Sequence, residues 1–338
     1  MNYNYNNQKN QSNPLEISES NAILILALWF PLVLILQTFL ELFNLKNSQA
    51  IVFNYIFSQL GFFLAIIIFF RKKTNAAFST LPYRKSIDIS PYVLSVIIPV
   101  ALIAQDMLFI YPTNWLLTYL ELMPDIKLPS SIWFQIIFAC LLPSLFEEFI
   151  FRGFLFGSLR KRGNLKAAFL TSIIFALFHG NLAQIVHQFA LSMILCLVVA
   201  TTSNLFFANL IHFSNNLTAV LLARYMPAID IKLGNASVEG LITLLIIFVI
   251  GIVVLYPCIL LIVRLGGADS EKKRFLNFFK KQDPIPAEQN ANTFQAVSNS
   301  THENSKFINF LNKHSIEIAI VFLLVMLILN TLVSGEAK

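Results

Sequence analysis

Charge is what this chain has least of. Only 12% of its 338 residues are Asp, Glu, Lys or Arg, against roughly a quarter in an ordinary soluble domain. A water-soluble globular protein is thereby excluded. Cysteine is scarce as well. Cys140, Cys196 and Cys258 each sit inside an apolar run, with no CxxC spacing, which excludes a disulfide framework and leaves them as small buried hydrophobes. The HExxH helix of ordinary zinc proteases is missing. No basic segment precedes the first apolar run, so that run reads as a retained span and not as a cleaved signal. The net charge of +6 does not point to nucleic acid, because the basic residues gather at the ends of apolar runs, where they mark topology.

What the chain has is hydrocarbon. Apolar residues make up 57% of it, with 33 phenylalanines. Uninterrupted apolar runs approach or exceed the roughly 20 residues that carry a helix across a ~30 Å hydrocarbon core. The expected fold class is all-α, a polytopic transmembrane helical bundle of about nine spans. These fall near 22–43, 50–70, 92–111, 131–157, 167–180, 182–200, 205–223, 241–263 and 316–333. Basic clusters at 71–73, 160–162 and within 264–281 lie on alternate connections, which puts those loops and the N-terminus in the cytoplasm. The Asn-rich residues 1–20 read as a disordered tail, 21–130 as N-terminal helices, 131–222 as the polar core, 223–265 as one further helix, 266–314 as a cytoplasmic linker and 315–338 as a last helix.

An ionised side chain inside a bilayer costs several kcal/mol unless it is paired or faces a wet cavity, so intramembrane polar residues are functional candidates. Three motifs qualify. The stretch "LFEEFIFRGFLF" carries Glu147, Glu148 and Arg152; "FALFH" ends in His179; "HFSNN" carries His212 and Asn216. On a helix Glu148 and Arg152 stand four apart on one face and neutralise each other. Glu147 points about 100° away and keeps no such partner. Glu147 lies 13 residues before Arg160 and His179 lies 13 residues after Lys166, each roughly 20 Å along its helix from the same surface. His212 and Asn216 fall at about 14 and 20 Å along theirs. Acid, imidazoles and amide are therefore expected at one depth, brought by separate helices.

A carboxylate beside imidazoles can take a proton from water, while His and the Asn amide donate to an oxyanion forming on an attacked carbonyl. That is the chemistry of peptide-bond hydrolysis, and it needs no serine or cysteine nucleophile. No cofactor is demanded. Zinc stays open, because Glu147, His179 and His212 could serve as its ligands with water in the fourth position.

These motifs, EExxxR at Glu147 to Arg152, FxxxH at Phe175 to His179 and HxxxN at His212 to Asn216, resemble in this order the CPBP family, also called Abi. That membrane family contains type II CAAX prenyl endopeptidases and bacteriocin-processing or immunity proteins. The resemblance covers about 131–222. It implies a CPBP-type catalytic core with its active site open to the cytoplasm. Glu147 would act on water, His179 and His212 would be its partners, Asn216 would be the oxyanion donor, and Glu148 and Arg152 would support them. Its implied partners are the lipid bilayer and a membrane-associated or small peptide substrate, which a CAAX-like prenylated protein could be. Its implied location is a bacterial cell membrane. Members have been described both as metalloproteases and as glutamate-dependent enzymes. Where family members often carry glycines after FxxxH, this chain has Ser192 and Cys196.

Competing readings remain at this level. A non-catalytic protein of the same fold, acting in bacteriocin self-immunity or partner binding, would keep the polar cluster as structure. A proton-coupled transporter is less expected, because no inverted repeat is visible. His187 and Gln188 read as interhelical hydrogen-bonding groups, and Asp106 as an interfacial or paired acid near the outer end of its span.

Overall fold

The computed structural model describes residues 89–122, 129, 131–225, 238–266, 278–279 and 314–336, with 52–53, 55–56 and 61. The expected spans at 22–43 and 50–70, the N-terminal tail and the linker lie outside the described residues, apart from those few positions. Every described element is a helix, as hydrocarbon requires of a chain that must satisfy its backbone polar groups internally. In chain order these are α1 (Ser90–Tyr119), α2 (Ile132–Leu159), α3 (Asn164–Phe178), α4 (Ile185–Thr202), α5 (Leu205–Tyr225), α6 (Val238–Gly266) and α7 (Ser315–Glu336). Five of the described helices, α1, α2, α4 with the short turn before it, α5 and α6, are long and apolar enough to cross a membrane.

The contacts fix the directions. Tyr92, at the start of α1, stacks edge-on against Phe206 and Phe207, at the start of α5, so these two ends lie together. Gly251 of α6 meets the α1 backbone at Ala101 and Gln105, while Phe248 meets Phe109, so α6 runs against α1. A Cβ at Gly251 would lie 2.5 Å from the Gln105 amide nitrogen; only glycine permits that approach. Because lipid tails are as apolar as leucine, such backbone proximity, and not hydrophobicity, is what holds membrane helices together.

One element departs from the hydropathy reading, and another is as short as that reading implied. α1 continues to Tyr119 past the expected end at 111, with Pro112 inside it and with Thr113 and Thr118 hydroxyls bonded back to the Phe109 and Asn114 carbonyls. Apolar content dropped there before helical structure did. The expected fifth span is α3, only 15 residues long, about 22 Å against a ~30 Å core. With the basic residues at 160–166 at one surface, its far end stops short of the other.

α2 is a single rod of changing pitch. Its turns widen to π-helix at Ile136–Leu141 and Phe149–Phe156, on either side of the α-helical Leu142–Glu148. Such widened turns are rare and gather at functional sites. Pro143 opens the central segment and, having no N–H, gives that turn one backbone donor fewer.

Candidate active site

Four helices bring the motifs together. α2 supplies Glu147, Glu148 and Arg152; α3 ends on His179; α5 supplies His212, Asn215 and Asn216; α4 packs behind them. α3 stops because His179 is followed by Gly180 at φ 59°, a left-handed conformation that glycine adopts freely. Asn181 then accepts a hydrogen bond from the Ala183 amide at 3.0 Å and starts the next turn. Non-helical backbone at membrane depth persists only against protein or a water-filled cavity. His179 stands at that break with 18% of its side chain accessible.

The polar groups divide into two sets. In the first, Arg152 Nη1 donates to Glu148 Oε1 at 2.7 Å, and His212 Nδ1 donates to the same oxygen at 2.8 Å. The side chains of Glu148 and Arg152 are fully buried and that of His212 is 1% exposed. The Arg152 guanidinium also lies 4.4 Å over the Phe175 ring, and the edges of His179 and His212 meet that ring at 4.7 and 5.8 Å. Phe175 thus braces the charged cluster and the second imidazole at once.

In the second set, Glu147 Oε2 faces His179 Nε2 across 3.9 Å and has no hydrogen-bond partner among the described residues. His179 Nδ1 lies 2.8 Å from the Phe175 carbonyl. A carbonyl only accepts, so Nδ1 carries the hydrogen. Nε2 is left with its lone pair toward Glu147 when the ring is neutral. The gap is too long for a direct hydrogen bond and invites a water donating to both acceptors.

The sequence expectations map onto this plainly. Glu148 and Arg152 pair as their spacing implied, Glu147 stands apart from them, and Glu147 and His179 meet at one level. The hydrogen bond of His212 goes to Glu148. Asn216 donates through Nδ2 to the Ala139 carbonyl at 3.3 Å. Cys140, Cys196 and Cys258 are buried and form no disulfide, and Ser192 is fully buried beside them in the helix core.

Zinc fares poorly on donor geometry. Among the described residues no three His, Cys, Asp or Glu side chains stand close enough to hold a metal ion. Glu147 and His179 supply two donors at ligand-like separation, and His212 uses only Nδ1 on Glu148 and so keeps its Nε2 lone pair for a ligand. As arranged, the trio still does not close to a three-ligand site.

Sequence reasoning left a second network unassigned. His187 Nδ1 lies 2.8 Å from Asp106 Oδ2, and His187 Nε2 lies 3.0 Å from Asn215 Oδ1. The interhelical hydrogen-bonding role read for His187, and the pairing read for Asp106, are both met here. The same depth count that matched Glu147 with His179 would have matched these two, since both fall near the outer ends of their spans.

Residues 129–218 match the family model for type II CAAX prenyl endopeptidase Rce1-like. The comparison with curated proteins gave no match, and the comparison with solved structures gave none either. The matched stretch covers about a quarter of the chain and contains all three motifs. It is similar to a family of CAAX-type intramembrane proteases, in agreement with the CPBP resemblance of EExxxR, FxxxH and HxxxN.

Proposed function

We propose that this membrane protein is an intramembrane endopeptidase that hydrolyses a peptide bond in a membrane-associated or small peptide substrate. The observation that carries the reading is the Glu147 and His179 pair, whose facing atoms are both acceptors 3.9 Å apart, with the imidazole partly accessible. A water about 2.8 Å from each donates both hydrogens to the pair and turns its lone pairs outward.

The reaction then follows from the groups at hand. Glu147 takes a proton as the water oxygen bonds to the substrate carbonyl carbon. The carbonyl oxygen gains negative charge and accepts the second N–H of the Asn216 amide, the first being given to Ala139. The proton on Glu147 passes to the leaving nitrogen as the C–N bond breaks, which releases a carboxylate and an amine and restores the site. His179 holds the water and its orientation. His212 belongs with Glu148 and Arg152, a buried group that fixes the register of α2 against α5. No step is routed through a metal, and the corresponding expectation is cleavage that survives a strong chelator. Loss on chelation and recovery on adding zinc would return His212 to the site as a ligand.

The substrate side is read from chemistry alone. A site inside the bilayer, at a helix break, suits a peptide anchored by a hydrophobic or lipidated residue. The cytoplasm as the side of entry, with a cytoplasmic N-terminus in a bacterial membrane, follows from the distribution of basic residues and from the CPBP resemblance. The test is to reconstitute the protein and its Glu147→Gln variant in lipid vesicles, add prenylated and unprenylated CAAX-type peptides, and weigh the products. Fragments from the native chain and none from the variant support the reading. Identical peptide masses with both proteins would favour a non-catalytic binding or immunity role.

A further inference from the structure

The hydrogen-bond chain from Asp106 to Ala139 has a direction, and the direction can be deduced from its one unambiguous end. Ala139 offers a backbone carbonyl, which only accepts, so the Asn216 group facing it is Nδ2. The Asn216 oxygen must then face Asn215, which donates to it through Nδ2 at 3.3 Å. That leaves Asn215 Oδ1 toward His187, at 3.0 Å from Nε2, so Nε2 carries a hydrogen. His187 Nδ1 and Asp106 Oδ2, 2.8 Å apart, hold one further proton between them. Each amide orientation is forced by the next, and the far end is an acid with 1% of its surface exposed.

We propose that Asp106 and His187 are positioning residues for Asn216. Acting through Asn215, they lock its amide so that one N–H stays on Ala139 and the other is left for the substrate carbonyl oxygen. Without the His187 hydrogen, Asn215 is free to flip. Asn216 then loses the neighbour that distinguishes its oxygen from its nitrogen, and an oxygen can be turned where the reaction needs a donor. α1 is thereby tied to the site: its backbone at Ala101 and Gln105 is pressed against Gly251 immediately before Asp106. The catalytic consequence rests on the reaction proposed above; the orienting role does not.

The experiment uses the full chain in lipid vesicles, with nitrogen-15 in the histidine and asparagine side chains, and has two arms. In the magnetic-resonance arm, the Asn216 side-chain amide signal, assigned by its loss in Asn216→Ala, is followed in His187→Phe and in Asp106→Leu, which leaves His187 Nδ1 without its partner. Both variants should shift or broaden it, and His187 in the native chain should show a protonated Nε2. In the kinetic arm, each variant should lower kcat about 10²-fold with KM held, and neither should lower it further in an Asn216→Ala background. A folded Asp106→Leu or His187→Phe protein with an unmoved Asn216 signal overturns the proposal. So does a full additional loss on top of Asn216→Ala, which would mark the chain as a helix staple only. If Glu147→Gln proves as active as the native chain, the proposed reaction is wrong, and the amide arm alone decides whether the relay exists.

Discussion

Adjacent glutamates, Glu147 and Glu148, end up in opposite environments. Glu148 accepts two short hydrogen bonds from charged or polar partners and is sealed from solvent. Glu147 has an oxygen with no partner, 3.9 Å from an imidazole that is partly accessible. One residue of helical rotation separates them. Each keeps an Oε2 without a hydrogen-bond partner among the described residues; what separates them is that Glu148 is paired with a cation and sealed, while Glu147 lies beside a partly accessible imidazole, where an unmet acceptor is available for chemistry. The comparison breaks most sharply at Glu147→Gln. The substitution keeps shape and removes the base, so cleavage should fall by roughly 10²- to 10⁴-fold with the yield of folded protein unchanged. An equal loss from Glu148→Gln in a well-folded protein would erase the division between the two.

The next effect falls on folding. Arg152→Met leaves Glu148 and His212 in the sealed pocket without their cation, which should cost about 3–5 kcal/mol. Denaturation of the vesicle-bound protein would read it as a lowered midpoint. Replacing Glu148 by Leu as well should return much of that loss, because an apolar pair of similar volume carries no stranded charge. If Arg152→Met instead folds at native stability but cleaves nothing, the sealed set takes part in the reaction directly.

Much of this division is readable in the residues themselves. The spacing of Glu148 and Arg152 implies their pair, and the 13-residue intervals to Arg160 and Lys166 bring Glu147 level with His179. What the sequence leaves hidden has two physical sources. Hydropathy reports where apolar surface lies and not helix length, so it misses the extension of α1 to Tyr119. Rotation about a helix axis is set by packing, and two stretches of α2 widen to π-helix, where a fixed 100° per residue no longer applies. That is why His212 could be placed at the right depth while its hydrogen bond to Glu148 stayed hidden. Pro143 was a usable signal all the same. A proline in an apolar run removes one backbone donor, and the Asn216 amide meets a carbonyl in the turn beside it.

A smaller effect tests whether the scaffold outside the motifs holds the site in register. Gly251→Ala puts a methyl carbon 2.5 Å from the Gln105 amide nitrogen and 2.9 Å from the Ala101 carbonyl oxygen, distances that backbone cannot absorb without moving. Overpacking of this kind costs about 1–3 kcal/mol, to be read as a lowered unfolding midpoint. Because the displaced segment precedes Asp106, the variant should also disturb the Asn216 amide signal, while an exposed substitution such as Val253→Ala on the same helix should not. An undisturbed amide in a destabilised Gly251→Ala protein would separate α1 packing from the relay.

The smallest expected change sharpens the contrast from the buried side. Ser192 is fully buried on α4, and its hydroxyl has no hydrogen-bond partner among the described residues. Glu147 carries an unmet oxygen too, but Glu147 faces an accessible imidazole and Ser192 faces packed interior. If an unmet polar atom matters only where substrate or water can reach it, Ser192→Ala should leave cleavage unchanged. Its stability should stay level or rise by up to about 1 kcal/mol, since the variant removes a desolvated hydroxyl without breaking a bond. A loss of several-fold in kcat would mean that a water bound at Ser192 belongs to the site, and that the wet region extends beyond Glu147 and His179 into α4.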